Sequence, residues 1–170
     1  METPAKRKFF LFRWIDYSSQ VGGILASICL LGVTAIIVYE VIARYLFNAP
    51  TTWVGEMSIY LCMAIGFLGL AFGLKSDSHF SISIVTNRLV PKKRILLKIF
   101  TDFVGFLYSA TFVYKGIEMA KFAYDIEDVS SGMMQVPLWM PWSLVPIGGF
   151  LLSLQFINKL AEDIKSLKQN

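Results

Sequence analysis

Three stretches without a single charged side chain constrain this chain more than any other feature: Tyr17–Tyr39 runs for 23 residues, Met57–Leu74 for 18 and Val129–Asn158 for 30. About 20 apolar residues in a helix cross the hydrocarbon of a bilayer. A fourth run, Phe103–Tyr114, has 12 uncharged residues, and Lys98 and Lys115 beside it can carry their ammonium groups to the membrane surfaces. Composition agrees, with 55% hydrophobic and 16% charged residues and a mean hydropathy of +0.58, which excludes an ordinary soluble enzyme. The 170 residues make one membrane domain. The fold expected is an all-α integral membrane protein: four transmembrane helices, with an amphipathic interfacial helix between the second and third.

Orientation follows from the basic residues, because short segments rich in Lys and Arg stay in the cytoplasm. Thirteen of the sixteen fall in residues 1–16, 75–102 and 159–170, leaving only Arg44, Lys115 and Lys121 for the segments between. Both termini are therefore expected in the cytoplasm of a multi-pass membrane protein. The segments read as a cytoplasmic interfacial stretch over 1–16, spans over 17–47 and 51–74, a cytoplasmic interfacial stretch over 76–94, spans over 95–122 and 141–160 separated by an outer segment over 123–140, and a cytoplasmic tail over 161–170. The first apolar run is too long for a cleavable signal peptide. Net charge is +4, but the basic residues flank spans and do not form one patch, so the partner they suggest is the lipid bilayer and not nucleic acid.

The first span predicts a helix longer than the bilayer, since Glu40 and Arg44 are four apart and can pair on one face beyond Tyr39. It breaks at Asn48-Ala49-Pro50-Thr51-Thr52, where Pro50 disfavours helix at Ala49 and the Asn and Thr side chains can cap free amides. Along the second span Gly55, Cys62, Gly66, Gly69 and Gly73 share one helical face, and Gly69 with Gly73 makes a GxxxG. Two readings fit this face: close packing inside the chain's own bundle, which is the expected one, or a groove for a partner helix. Gly105, Ser109 and Gly116 draw a similar line in the third span. Glu56 stands in the first turn of the second helix, where the helix dipole favours its charge; the alternative is an interhelical or partner ion pair, with Arg44 the nearest candidate.

The residues needed for catalysis are missing from the sequence pattern. Cys29 and Cys62 both fall inside spans, so neither a disulfide framework nor a CxxC motif is available. The single histidine, His79, lies in the inner segment, where a surface hydrogen-bonding role is the ordinary reading, and one histidine is too few for a bis-histidine di-haem anchor. No Walker or dinucleotide glycine pattern occurs. Neither mid-span ionisable residues nor paired broken helices, the marks of a self-sufficient transporter, are evident. No catalytic, cofactor-binding or metal-binding residue is assigned.

The segment Arg44-Tyr45-Leu46-Phe47-Asn48-Ala49-Pro50, followed by Trp53 and Glu56, resembles the small membrane subunit, the Q subunit, of tripartite ATP-independent periplasmic (TRAP) transporters. The similarity continues through Gly66, Gly69 and Ala71 to His79, Ile82 and Ile84, and to Leu89-Val90-Pro91. It covers most of the chain, with the specific motif over residues 39–94; the third and fourth spans match in pattern alone. Ser83 stands where the family often has an acid, so no role is carried to it. The resemblance implies a sodium-driven uptake system of the bacterial inner membrane for organic acids such as C4-dicarboxylates or sialic acid, which would make the 123–140 segment periplasmic. In it, a periplasmic substrate-binding protein delivers the acid to a large membrane transport subunit that holds the substrate and sodium sites. The small subunit would brace that partner and help dock the periplasmic protein, with no cofactor of its own. Arg44, Asn48, Trp53, Glu56, Gly66, Gly69, Gly73 and His79 are the candidates for a partner or packing interface. The alternatives are the membrane anchor of a redox enzyme and a small four-helix exporter.

Overall fold

The computed structural model describes residues 10–76 and 91–169. Among these residues lie four helices, α1 (Phe10–Leu46), α2 (Val54–Lys75), α3 (Pro91–Asp125) and α4 (Trp139–Gln169). All four are long and apolar enough to cross a membrane, as a multi-pass membrane protein requires. The interfacial helix expected within 76–94, and His79 with it, lies outside the described residues except at its edges. Ser76 closes α2, and residues 91–94, expected to end the interfacial stretch, form the first turn of α3.

The main contacts run in the order α1, α2, α4, α3, a row that bends so that α4 also meets α1 and thus touches all the others. The reason is visible in which residues are small. The buried hydrophobic positions are dominated by alanine and valine, among them Ala26, Val33, Ala43, Ala64 and Ala71, while Leu31, Phe103 and Phe122 stand outward. Lipid removes the hydrophobic penalty for exposing large side chains, so helices associate where small residues let backbones approach. A Cβ at Gly22 of α1 would lie 2.8 Å from the Leu68 carbonyl oxygen of α2, and a Cβ at Gly148 of α4 would lie 2.6 Å from Phe67 Cβ. The line expected in the third span packs as read: Gly105 accommodates the Phe156 ring, Gly116 lies against Pro146, and Ser109 shares a 2.8 Å hydrogen bond with Ser153. Pro146 sits inside α4, its ring turned to the gap that Gly116 leaves.

α1 has 37 residues, about 55 Å at 1.5 Å per residue, against roughly 30 Å of hydrocarbon, so it tilts or protrudes. It ends at a corner where Asn48 takes a left-handed backbone (φ 48°) and the Ala49 N–H returns to the Ala43 carbonyl at 3.0 Å. Asn is one of the few residues that accept this conformation. The capping expected from side chains does not occur at α2, whose N-cap is Trp53 without a side-chain hydrogen bond. Thr51, one of the candidates, is held by Glu40 instead. α4 continues as helix through the stretch read as a tail.

Candidate functional site

Two acidic residues organise the end of the row where α1 turns into α2. Glu40, one helical turn before Arg44, accepts a hydrogen bond from Arg44 Nε at 3.0 Å on one oxygen, the i,i+4 pairing that the spacing dictates. Its other oxygen accepts from the Thr51 backbone N–H at 3.1 Å and from the Thr51 hydroxyl. Glu40 therefore ties the corner to the helix that precedes it. Trp53 lays its ring near Tyr39, with centroids 6.2 Å apart, and Asn48 stands exposed at the turn.

Glu56 reaches a different element. The Ser130 hydroxyl donates to Glu56 Oε2 at 2.6 Å and accepts from the Val136 N–H at 3.2 Å. Ser130 itself is buried in a short loop pinched by the Val129–Pro137 bridge and by Leu138 N–H to the Asp128 carbonyl at 2.9 Å. Gly132 closes over the carboxylate so tightly that a Cβ there would overlap it. Glu56 Oε1 is sealed from the surface without a hydrogen-bond partner. The ion pair between Arg44 and Glu56 weighed from the sequence does not form. Arg44 finds Glu40 on its own helical face, and the first turn of α2 presents Glu56 to the loop before α4.

The glycine face of α2 also departs from expectation. A Cβ at Gly55, Gly66 or Gly73 would meet nothing within 4 Å, and one at Gly69 would make only an ordinary 3.6 Å contact with Ala26. Among the described residues, Gly69 is the one glycine of this face that meets another helix. α2 buries Val54, Ala64, Ala71 and Leu74 instead, about half a turn round the helix, and leaves Gly66 on an apolar groove of about 440 Å³ that is also lined by Ser58, Ile59, Cys62, Met63 and Phe67.

At the opposite end a polar network joins three helices. Asn158 Nδ2 donates to Asp16 Oδ1 at 3.0 Å, Ser19 donates to Gln155 Oε1 at 3.2 Å, and Lys75 Nζ donates to the Asp16 carbonyl at 2.8 Å. Gln155 and Asn158 are three apart on α4, which turns both toward α1. This network escaped the sequence reading because amides and hydroxyls inside an uncharged run barely alter its hydropathy. The usable signal was Gln155 and Asn158 recurring at helical spacing in an otherwise apolar segment. Asp102, on α3, is buried as well. Among the described residues no three His, Cys, Asp or Glu side chains converge as a metal centre would need.

The geometry is thus that of joints: polar groups fastening helix to helix and loop to helix, plus one open small-residue face. A family profile described as tripartite ATP-independent periplasmic transporters, DctQ component, matches residues 33–166. The sialic acid TRAP transporter small permease protein SiaQ of Vibrio cholerae is 25% identical over 133 residues, 78% of this chain and 75% of its own length. A putative TRAP transporter small permease protein of Haemophilus influenzae is 26% identical over 141 residues, 82% of this chain and 86% of its own. The isethionate TRAP transporter permease protein DctMQ of Oleidesulfovibrio alaskensis is 23% identical over 158 residues, 89% of this chain but 24% of its own length. This chain spans only that fraction of the longer permease. With the family profile running from within α1 into the end of α4, and the small permease relatives aligned over most of their length, the chain belongs to the DctQ component family of tripartite ATP-independent periplasmic transporters, as their small permease subunit.

Proposed function

We propose that this small permease subunit braces the large membrane subunit of a sodium-coupled, binding-protein-dependent transporter for organic acids, and contributes a surface at which the substrate-loaded periplasmic protein docks. The observation that carries the bracing role is where the buried polar groups go. Asp16, Ser19, Gln155 and Asn158 at one end, and Ser109 with Ser153 further along, bond to one another across helices. Polar groups in a membrane interior are expensive and are kept where they are used; here their use is to hold this chain's own helices in place. The relatives named for sialic acid, C4-dicarboxylate and isethionate support an organic acid anion as substrate, a carboxylate or a sulfonate, recognised by the partners and not by this chain. The two acid-held joints, at Glu40 and Glu56, keep the loop end in one shape, as a docking surface needs.

Reconstitution tests the reading. In proteoliposomes with an inward sodium gradient, uptake of an organic acid should require the large subunit, this chain and the loaded periplasmic protein together. Omitting this chain should lower assembly or rate without changing which acid is taken up. Accumulation of substrate by liposomes containing these 170 residues alone would overturn the scaffold assignment.

A further inference from the structure

We propose that Asp102 of α3 and Asp163 of α4 form a proton-binding site, in which two carboxyl groups hold one proton between them and fasten the end of α3 to α4. The register of the two helices leads to it. Gly116 lies against Pro146, Ser109 bonds Ser153 and Gly105 takes in Phe156. Continued by one turn, this antiparallel pairing sets Asp102, three residues before Gly105, opposite the turn of α4 that carries Lys159 and Asp163. Those two are four apart and share one helical face. Asp102 is only 8% exposed, and its carboxyl lies within hydrogen-bonding reach of that of Asp163.

Two ionised carboxylates do not hold such a contact. Each offers acceptors alone, and like charges brought together out of water repel. The oxygens show the missing donor: Oδ2 of Asp102 and Oδ2 of Asp163 are both sealed from the surface without a hydrogen-bond partner. Among the described residues, the charged groups facing Asp102 are Asp163 and Lys159 from α4 and Lys98 from its own helix. The two lysines attract it by charge, and neither donates to the sealed oxygens. A single proton between the carboxyls supplies the donor, removes one of the two like charges and leaves a charge-assisted hydrogen bond. In the unfolded chain an aspartate is ionised above about pH 4, so at neutral pH unfolding releases that proton. The folded chain thus binds one proton more than the unfolded chain, and its stability falls as pH rises. The fall ends where the pair itself ionises and the two helices are left with facing negative charges.

The test uses the full chain in detergent, with the proton itself as the probe. Infrared spectra of the wild type at about pH 6 should contain a carbonyl stretch of protonated carboxylic acid that Asp102→Asn and Asp163→Asn each remove, because neither acid keeps the proton alone. Asp125→Asn, at an exposed carboxyl on the far end of α3, should leave that band in place. In chemical unfolding, the folding equilibrium constant of the wild type relative to Asp163→Asn should fall about tenfold per pH unit from about pH 5 upward, and level off where the band disappears. Should Asp102→Asn fail to fold, the wild-type pH series and Asp163→Asn, whose side chain is half-buried, decide the same question. Survival of the full band in Asp163→Asn would give the proton to Asp102 alone. Equal spectra for all the variants and the wild type would leave both acids ionised. Parallel pH dependence of wild type and Asp163→Asn would separate the proton from the joint. Each of the three results overturns the shared site.

Discussion

Glu40 and Glu56 show how far a single residue's role can be read before folding. The partner of Glu40 is four residues away on the same helix, so spacing alone finds Arg44. The partner of Glu56 is Ser130, 74 residues on, and no local pattern names it. The position of Glu56 in a first helical turn was legible; its use as the anchor of the loop before α4 was not. That use can be measured. Ser130→Ala removes a hydrogen bond to a carboxylate and leaves a second oxygen of Glu56 without a donor, a loss of about 1–3 kcal/mol. Amides of residues 128–138 should then exchange with solvent faster, while those in the middle of α3 and α4 stay protected. Gly132→Ala should give the same loosening by steric means, since its Cβ would collide with the Glu56 carboxylate. Unchanged exchange in both variants would show that the loop is held by its Val129–Pro137 pinch alone.

Between elements, two lines of small residues with the same spacing met opposite fates. Gly105, Ser109 and Gly116 on α3 receive Phe156, Ser153 and Pro146 of α4. The glycine line of α2 receives only Ala26, at Gly69, from the described residues, because Val54, Ala64, Ala71 and Leu74 take the interior from the other side of the same helix. A small-residue line states that a close approach is possible and leaves open which helix makes it. The contrast gives a paired prediction for the purified chain in detergent. Gly148→Ala, whose Cβ would press on the Phe67 backbone, should destabilise by about 1–3 kcal/mol. Gly66→Ala should be neutral or stabilising by up to about 1 kcal/mol, since a helix interior prefers alanine. Thermal unfolding of the two variants side by side distinguishes them, and equal losses would mean that the α2 face is covered within the chain after all. Asn158→Leu belongs here too: it takes the 3.0 Å donor from Asp16 Oδ1 and leaves that oxygen the longer 3.5 Å bond from Gln155 Nε2. The unfolding temperature should fall further than for a leucine at outward-facing Ile157.

For the molecule as a whole, the distribution of Lys and Arg predicts both termini in the cytoplasm. In a variant with Cys29 and Cys62 replaced, Ser131→Cys should react with an impermeant thiol reagent in intact cells, and Ser166→Cys should react only after lysis. The reverse pattern would invert the topology and move the Glu56 loop away from any periplasmic partner. What the sequence by itself determined is the class of fold. Uncharged runs of 18 to 30 residues have one stable home, and within it the helices, the Glu40–Arg44 pair and the corner after Leu46 follow from local spacing and backbone sterics. The row order, the loop held by Ser130, the network from Asp16 to Asn158 and the outward turn of the α2 glycines were decided by tertiary structure alone. In lipid, nearly every apolar face is equally comfortable, so hydropathy cannot rank one helix pairing above another. The choice falls to shape and to a handful of hydrogen bonds between residues far apart in the chain.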